Sequence, residues 1–482
     1  MQNIQDTNKF LITTTPISAI KIIERLNTQG FEAWIVGGFV RDAFLGIKSN
    51  DLDITTNAKP DEIKKFFSNS VWSIIDTGIK HGTLTLIHKK SKTTIEVTTY
   101  RQESSYKDLR HPDSVKFIND LTEDLSRRDF TINAIAWNHI QGFMDPFDGI
   151  SDIKQKIIKT VGNPKNRFSE DALRILRAFR FASTLDFNVE TSTKIAMFEK
   201  LNSLCNISNE RIRSEITRAL YGKNIIKNMV EYKDVLFFLI PELKDCFNFD
   251  QQTKYHCYDV YEHISYVVSY IPKNKYKNTR WNNLSSDISM ALAWSALLHD
   301  IGKPQTFTVD KKGQGHFFSH QEKSSEMSIK ILKRLKFSNK LIKVISTLIK
   351  NHDFNIKPTN TSINKIYLLL ETNSDFDREL MVHLFCDLRR ADILAHAEEY
   401  RSETTTVDKS ENLFNQLHKE NKLVTLNNLS ITGTDLIDIG YTGENIKKCL
   451  VKCLNATIEN KCKNTKIDLI NYAKAIKSNF KA

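Results

Sequence analysis

The 482-residue sequence has no stretch near the ~20 consecutive apolar residues that a membrane-spanning helix needs. Its opening, MQNIQDTNKFLITTTP, has neither the apolar core of a secretory signal nor an Arg-rich amphipathic leader. Seven cysteines are scattered without a CxxC pair, which indicates neither a disulfide framework nor a zinc ribbon. Together these absences predict a cytoplasmic chain with no membrane partner. Internal repeats at solenoid spacing are also missing. So are GxGxxG and GxxxxGK(S/T), which removes the Rossmann and Walker readings.

What is present is size and positive charge. At 482 residues the length suggests about three or four domains. Lys and Arg number 69 against 57 Asp and Glu, a net charge of +12. That balance suits a polyanionic partner, because each neutralised phosphate releases condensed counterions. Composition rich in lysine and asparagine is also what an AT-rich genome gives. Short β-like runs occupy about 17–145: AWIV (33–36), DLDI (51–54), TLTLI (83–87), TIEVTTY (94–100) and INAIAWN (132–138). After about Val161 helical periodicity takes over, broken by a polar stretch at 272–287 read as a long loop and another at 400–411 read as a linker. The expected fold is α+β: an N-terminal head with a small mixed β-sheet, followed by all-helical modules.

Chemistry concentrates first at 34–54, WIVGGFVRDAFLGIKSNDLDI. Asp51 and Asp53, two apart on a strand, share a face ~6–7 Å apart. They repel unless a cation lies between them, and a hard ion such as Mg²⁺ wants that oxygen arrangement. An exposed edge strand accommodates the same pair. Gly37 and Gly38 open a helical pattern closed by Gly46, where backbone could approach a phosphate. Glu96 shares its strand face with Thr94 and Thr98, as a third carboxylate to act as general base or an edge-strand glutamate facing solvent. Arg127 and Arg128 offer bidentate donors to a triphosphate, although such a pair is also ordinary surface. In RFSEDALRILRAFRFA (167–182), read as one helix, Glu170, Asp171, Arg174 and Arg177 fall on one arc of about 120°. Plain i,i+3 and i,i+4 ion pairing would produce the same pattern.

In combination these motifs resemble the tRNA branch of the nucleotidyltransferase superfamily, the CCA-adding enzymes and bacterial poly(A) polymerases, from about residue 17 to 475. The resemblance assigns two Mg²⁺ to Asp51 and Asp53, and the incoming triphosphate to Gly37, Gly38 and Arg41. From SRRDFTINAIA (126–136) it implies sugar and phosphate contacts by Arg128, Asp129 and Asn133. Glu-Asp-x-x-Arg after a Val-Gly-x-Pro turn resembles the motif that selects CTP and ATP without a nucleic-acid template. Base recognition falls to Asp171 and Arg174, supported by Arg177. YKDLRHPD (106–113) resembles a loop that aids the switch from C to A addition. Lys159 stands where the family often carries arginine. NERIRSEITRALYG (209–222) resembles a neck helix and reads as scaffold. The catalytic residues implied are Asp51, Asp53 and Glu96, and the expected partners are tRNA, CTP and ATP.

A second constellation spreads His and Asp over helices in HCYDVYEHISYVV (256–268), LLHDIGKP (297–304), GHFFSHQEKSSE (315–326), LIKNHD (348–353) and RADILAH (390–396). Imidazole and carboxylate together suit a divalent transition metal that activates water. His299-Asp300 followed by Gly-Lys resembles the HD phosphohydrolase superfamily. That resemblance implies ligands at His263, His299, Asp300 and Asp392, with His320 and His352 as contacts to a second metal or a phosphate. His256 is a further candidate. The tail, 429–454, resembles the part of CCA-adding enzymes that grips tRNA, with Lys447, Lys448 and Lys452 facing phosphates or, equally, plain solvent. The expected division is a catalytic head (1–145), a nucleotide-selecting neck (146–250), an HD-like domain (251–400) and a tRNA-binding tail (401–482). Rival readings are a poly(A) polymerase, disfavoured because DTGIKHGTLTLI (76–87) lacks a basic Gly-Arg-Arg-Phe-like stretch, and an HD phosphohydrolase whose head merely binds RNA.

Overall fold

The computed structural model describes residues 3–68, 70–103, 115–253, 255, 257–370 and 375–480. The loop motif 106–113 and His256 lie outside the described residues. The chain divides into two compact units, Met1–Phe238 and Leu239–Ala482.

The first unit is built on a seven-stranded mixed sheet. Its strands are β1 (Ala33–Val36), β2 (Asp53–Thr56), β3 (Trp72–Gly78), β4 (Thr83–His88), β5 (Thr94–Thr99), β6 (Ala136–Asn138) and β7 (Gly142–Met144), in the order β3-β4-β5-β2-β1-β6-β7. Only β2 and β5 run parallel, and their register sets Asp53 beside Glu96. Alternation along β5 decides which face is apolar. Ile95 and Val97 are fully buried, while Thr94, Glu96 and Thr98 point the other way. The helix Ile17–Asn27 buries Ala19, Ile22, Ile23 and Leu26, the i, i+3, i+4, i+7 stripe of its sequence.

Three local expectations are corrected. The strand over 51–54 starts at Asp53, because its partner β1 ends at Val36, where Gly37 turns away at φ 79°, ψ −140°. Asp51 therefore precedes the strand and is exposed. The run 132–138 is strand only from Ala136, since Thr131–Asn133 forms a 3₁₀ turn tied by Thr131 Oγ1 to Asp152 Oδ2 at 2.6 Å. The single helix over 167–182 is two, Pro164–Glu170 and Leu173–Leu185. Asp171 breaks it by adopting extended backbone (φ −138°, ψ 105°), and its side chain accepts the Leu173 N–H at 2.9 Å. A short polar side chain that can cap a following helix competes with helix continuation.

In the second unit, helices Val260–Tyr270, Ser285–Leu298, His320–Arg334, Asn339–Asn351 and Arg378–Leu394 supply the core. The stretch expected as a linker at 400–411 is instead a 3₁₀ turn, Glu398–Glu403, followed by the helix Thr404–Lys419. Its polar residues are used: Asp408 binds Arg390 Nε at 2.6 Å and Glu411 binds His383 Nδ1 at 2.5 Å, while Val407 and Phe414 are buried. The 272–287 stretch is anchored by Lys275 and Tyr276, which bond Asp387 at 2.6 and 2.7 Å. The tail helices Gly433–Asp438, Glu444–Ile458 and Lys466–Ile476 enclose Leu436, Tyr441, Cys449, Cys453 and Leu469, leaving Lys447, Lys448 and Lys452 exposed. The helical regions are not purely helical, for strand pairs join Ile157–Ile158 to Asn188–Val189 and Phe307–Val309 to Gly315–Phe317. Among the described residues no helix is long and apolar enough to cross a membrane.

Gly149 shows how tightly the 3₁₀ turn is packed. A Cβ there would meet the Thr131 carbonyl oxygen at 2.2 Å and its carbon at 2.8 Å, both backbone atoms. Gly149→Ala is expected to lower the unfolding free energy by about 1–3 kcal/mol, as overpacking does. Denaturant titration of both chains checks this, and an unchanged midpoint would mean the turn yields freely.

Candidate active site and histidine–aspartate cluster

A cavity of about 510 Å³ opens over the polar face of the sheet, with Asp53 and Glu96 on its floor and arginines around them. Burial pushes the Asp53 carboxyl up to about 6; Arg128 pulls it down, while Asp51 and Glu96 add to the rise. Carboxylates so crowded offer the hard oxygen donors a divalent ion takes. Gly37 makes the approach of Arg128 possible, because a Cβ there would sit 3.1 Å from Arg128 Nη1 and 3.7 Å from Asp53 Oδ2. The positive φ of Gly37 adds a second reason for glycine. Arg128 Nε is buried and has no hydrogen-bond partner among the described residues. Such a donor costs about 1–3 kcal/mol until an acceptor arrives.

Most of the other arginines are held by carboxylates. Arg127 Nε donates to Asp124 Oδ1 at 2.9 Å, and Asp124 also accepts the Thr55 hydroxyl and the Arg101 N–H. Arg177 Nε donates to Asp129 Oδ2 at 2.7 Å. Burial opposes ionisation of Asp129, but Arg177 and the Asn133 hydrogen bond outweigh it and hold the carboxyl well below its usual range. Asn133 continues the chain, donating to Asp129 at 3.1 Å and accepting from Arg41 Nη1 at 2.7 Å. Arg41, Arg177 and Arg180 all lie 4.1–5.4 Å from the centroid of the Phe181 ring.

Of the residues expected from sequence, Asp53, Glu96, Arg128, Asp129, Asp171, Arg174 and Arg177 all line this one cavity. Asp51 acts on it electrostatically from just before β2. Gly37 lies directly behind Asp53 and Arg128. Arg41 and Asn133 are buried behind the wall, with their polar groups engaged as described, and Gly38 packs against the Arg41 guanidinium. Arg174 is turned inward, bonding Glu170 at 2.7 Å and the carbonyls of Arg127 and Arg167. Sequence reading missed Arg101 and Arg211, which also line the cavity. Arg101 carried a faint signal as the residue beyond β5, whereas Arg211 carried none, being 40 residues from Asp171 in sequence.

In the second unit the structure brings His263, His299, Asp300, Asp392, His320 and His352 into one buried cluster. His263 Nε2 lies 3.1 Å from Asp392 Oδ1 and 3.3 Å from His299 Nε2, and His320 and His352 Nε2 lie 3.4 and 3.5 Å from Asp300 Oδ1. Two triads have ligand atoms within 4.8 Å of one another, His263/His299/Asp392 and His299/Asp300/His352. Burial lowers His263 to about 4, so its imidazole is neutral, the form that binds metal. Burial works against the Asp300 charge, yet His299 and Lys303 keep the carboxyl well below its usual range. This donor set fits a divalent transition metal. Two members escaped the sequence reading: Lys303, 2.7 Å from Asp300 Oδ2, and His396, 3.6 Å from Asp392 one helical turn on.

Residues 33–159 match the Poly A polymerase head domain, residues 186–247 the probable RNA and SrmB-binding site of polymerase A, and residues 255–397 the HD domain. A CCA-adding enzyme of Ligilactobacillus salivarius is 47% identical over 216 residues, 45% of this chain and 52% of the relative. One from Lactococcus lactis is 45% identical over 231 residues, 48% and 57% of the two chains. The chain thus spans about half the length of these relatives. The crystal structure of the Bacillus stearothermophilus CCA-adding enzyme in complex with CTP matches 96% of this chain and 97% of its own, with TM-score 0.62 and 26% identity. The Thermotoga maritima CCA-adding enzyme complexed with tRNA_CCA shares the fold at TM-score 0.56 and 21% identity, over 98% and 99% of the two chains.

The Arg177–Asp129–Asn133–Arg41 relay generates a stability prediction. Asp129→Ala strands the Arg177 guanidinium, the Asn133 amide and the Phe130 N–H, and is expected to cost about 3 kcal/mol, as breaking a buried pair does. Chemical denaturation followed by circular dichroism measures it. A loss below about 0.5 kcal/mol, the range of ordinary surface substitutions, would show that the relay carries no structural weight.

Proposed function

We propose that this chain, a homologue of CCA-adding enzymes that joins a poly A polymerase head to an HD domain, adds C, C and A to the 3′ end of tRNA. The substrates are CTP and ATP and the product is pyrophosphate. The observation that carries this reading is the parallel register of Asp53 with Glu96 inside a cavity walled by arginines and Asp171.

In the proposed reaction the tRNA 3′-oxygen attacks the α-phosphorus of the bound nucleotide. A new P–O bond forms, the bond to the β-phosphate bridging oxygen breaks, and pyrophosphate leaves. Glu96 accepts the hydroxyl proton, since it shares the cavity floor with Asp53. Arg128, which lines the cavity beside Asp53, supplies a guanidinium for phosphate oxygens. Asp51 and Asp53 would hold Mg²⁺, which would supply charge neutralisation for the triphosphate and a Lewis acid for the attacking hydroxyl. Asp171 and Arg174 read the base edge, with Arg174 turning from its inward bonds to do so. Arg177 supports them, and Gly37, Gly38, Arg41, Asp129 and Asn133 shape the wall around the nucleotide. In the four-part division, the exposed Lys447, Lys448 and Lys452 of the 401–482 tail contact tRNA phosphates. The reaction belongs in the cytoplasm.

The HD cluster is a second, hydrolytic site for phosphoesters, with a divalent transition metal held by His263, His299, Asp300 and Asp392. His320 and His352, both beside Asp300 Oδ1, would contact a second metal or a phosphate.

Two experiments test these assignments. Given tRNA lacking its 3′ end, Mg²⁺ and both nucleotides, the protein is expected to produce termini ending at CCA. Long A tails, or no extension, would sink the reading. Asp53→Asn should slow extension by more than about 100-fold. Separately, calorimetric titration with Mn²⁺ is expected to show a site in the wild type that His299→Ala abolishes, because His299 belongs to both triads. Equal binding by the two chains would remove the metal from this cluster.

A further inference from the structure

Arg211 sits in the first turn of the helix Asn209–Leu220, a segment whose sequence reads as scaffold. Its Nη2 donates to Asp171 Oδ2 at 3.2 Å, and both residues line the nucleotide cavity. The other Asp171 oxygen accepts the Leu173 N–H at 2.9 Å. The carboxylate at the break between two helices is therefore held at both ends, once by its own backbone and once by Arg211. The helix bearing Arg211 is itself immobilised. Arg180 Nε pairs with buried Glu215 at 2.6 Å, and Ser183 Oγ donates to the Ala219 carbonyl at 2.7 Å.

Packing alone does not account for Arg211. Its Nη1 is buried without a hydrogen-bond partner among the described residues. The guanidinium is spent on Asp171, a residue of the cavity wall, and not on the helix that carries it. Arg211 instead keeps a geometry whose one polar product is the orientation of Asp171. No other arginine takes this role, because Arg174 bonds Glu170 and two carbonyls, and Arg177 bonds Asp129.

We propose that Arg211 is a positioning residue for nucleobase selection, acting through Asp171; this rests on the nucleotide-adding reading given above. A carboxylate locked in an ion pair presents acceptors only. Its outward lone pairs accept from the exocyclic amine of cytosine or adenine. The carbonyl that uracil or guanine carries at the same place meets lone pair against lone pair and is rejected. Without Arg211 the Asp171 carboxylate rotates about its side-chain bonds, and the distinction between amine and carbonyl weakens.

The test is the ratio of kcat/KM for CTP to that for UTP on tRNA lacking its 3′ end. Wild type, Arg211→Ala, Arg211→Gln and Arg211→Lys are compared. The expected result is a fall of about tenfold in that ratio for Arg211→Ala, the size of a typical coupling between neighbouring groups. Arg211→Lys is expected to recover part of it. Arg211→Gln, close in length, gives the same readout should the alanine chain fold poorly. A scaffold role lowers both substrates together, so an unchanged ratio in a wild-type-like background of CTP preference overturns the inference alone. A wild type with no preference for CTP over UTP removes the nucleotide-adding reading, and this inference falls with it.

Discussion

Two carboxylates on neighbouring parallel strands, Asp53 on β2 and Glu96 on β5, set the terms for the first unit. Burial raises the Asp53 carboxyl to about 6; Arg128 opposes that rise, and Asp51 and Glu96 add smaller contributions to it. The site is thus poised for positive charge. Its register cannot slip by one residue without turning Ile95 and Val97 to the cavity and Glu96 into the core, so the apolar face of the sheet enforces the acidic one.

The same need explains the carboxylates behind the arginines. Arg127, Arg174, Arg177 and Arg211 crowd one cavity, and each is tied to its own acid: Asp124, Glu170, Asp129 and Asp171. Pairing keeps the guanidinium groups from dispersing and fixes their planes, which a free side chain would lose to rotamer entropy. Arg128 departs from the pattern through its buried, unsatisfied Nε. A cavity wall of arginines around Asp53 and Glu96 is an arrangement that a polyanionic ligand with its cation would complete.

The second unit follows the same logic with different donors. Asp300 and Asp392 are buried carboxylates whose charge is sustained by surrounding imidazoles, Lys303 and Arg389. His263, with no such sustained charge, is driven neutral by burial. Neutral nitrogen and ionised oxygen at short range are the donor set that a divalent cation takes. A few residues away, Asp387, Arg390 and Glu411 use paired charge for structure alone, pinning the 272–287 stretch and the helix beyond residue 404.

How far the sequence could be read depended on the range of the interaction. Period-two alternation in TIEVTTY and the i, i+3, i+4 stripe of ISAIKIIERLN are local, and the α+β head with helical modules beyond it followed from such patterns. The carboxylates, the arginine pair and the His-Asp dipeptide were legible through motifs that resemble known families, since their residue types alone are equally at home on a surface. Misreadings came where distant partners decide: the 400–411 stretch is helical because Arg390 and His383 receive its acids, and the 167–182 helix breaks because Asp171 caps Leu173 and meets Arg211. The sequence by itself determined which residue types were available for the site. Only the tertiary structure decided that Arg211 belongs to it and that Arg41 and Asn133 stand behind it, because hydrogen bonds between residues 40 and 92 positions apart leave no period in the chain.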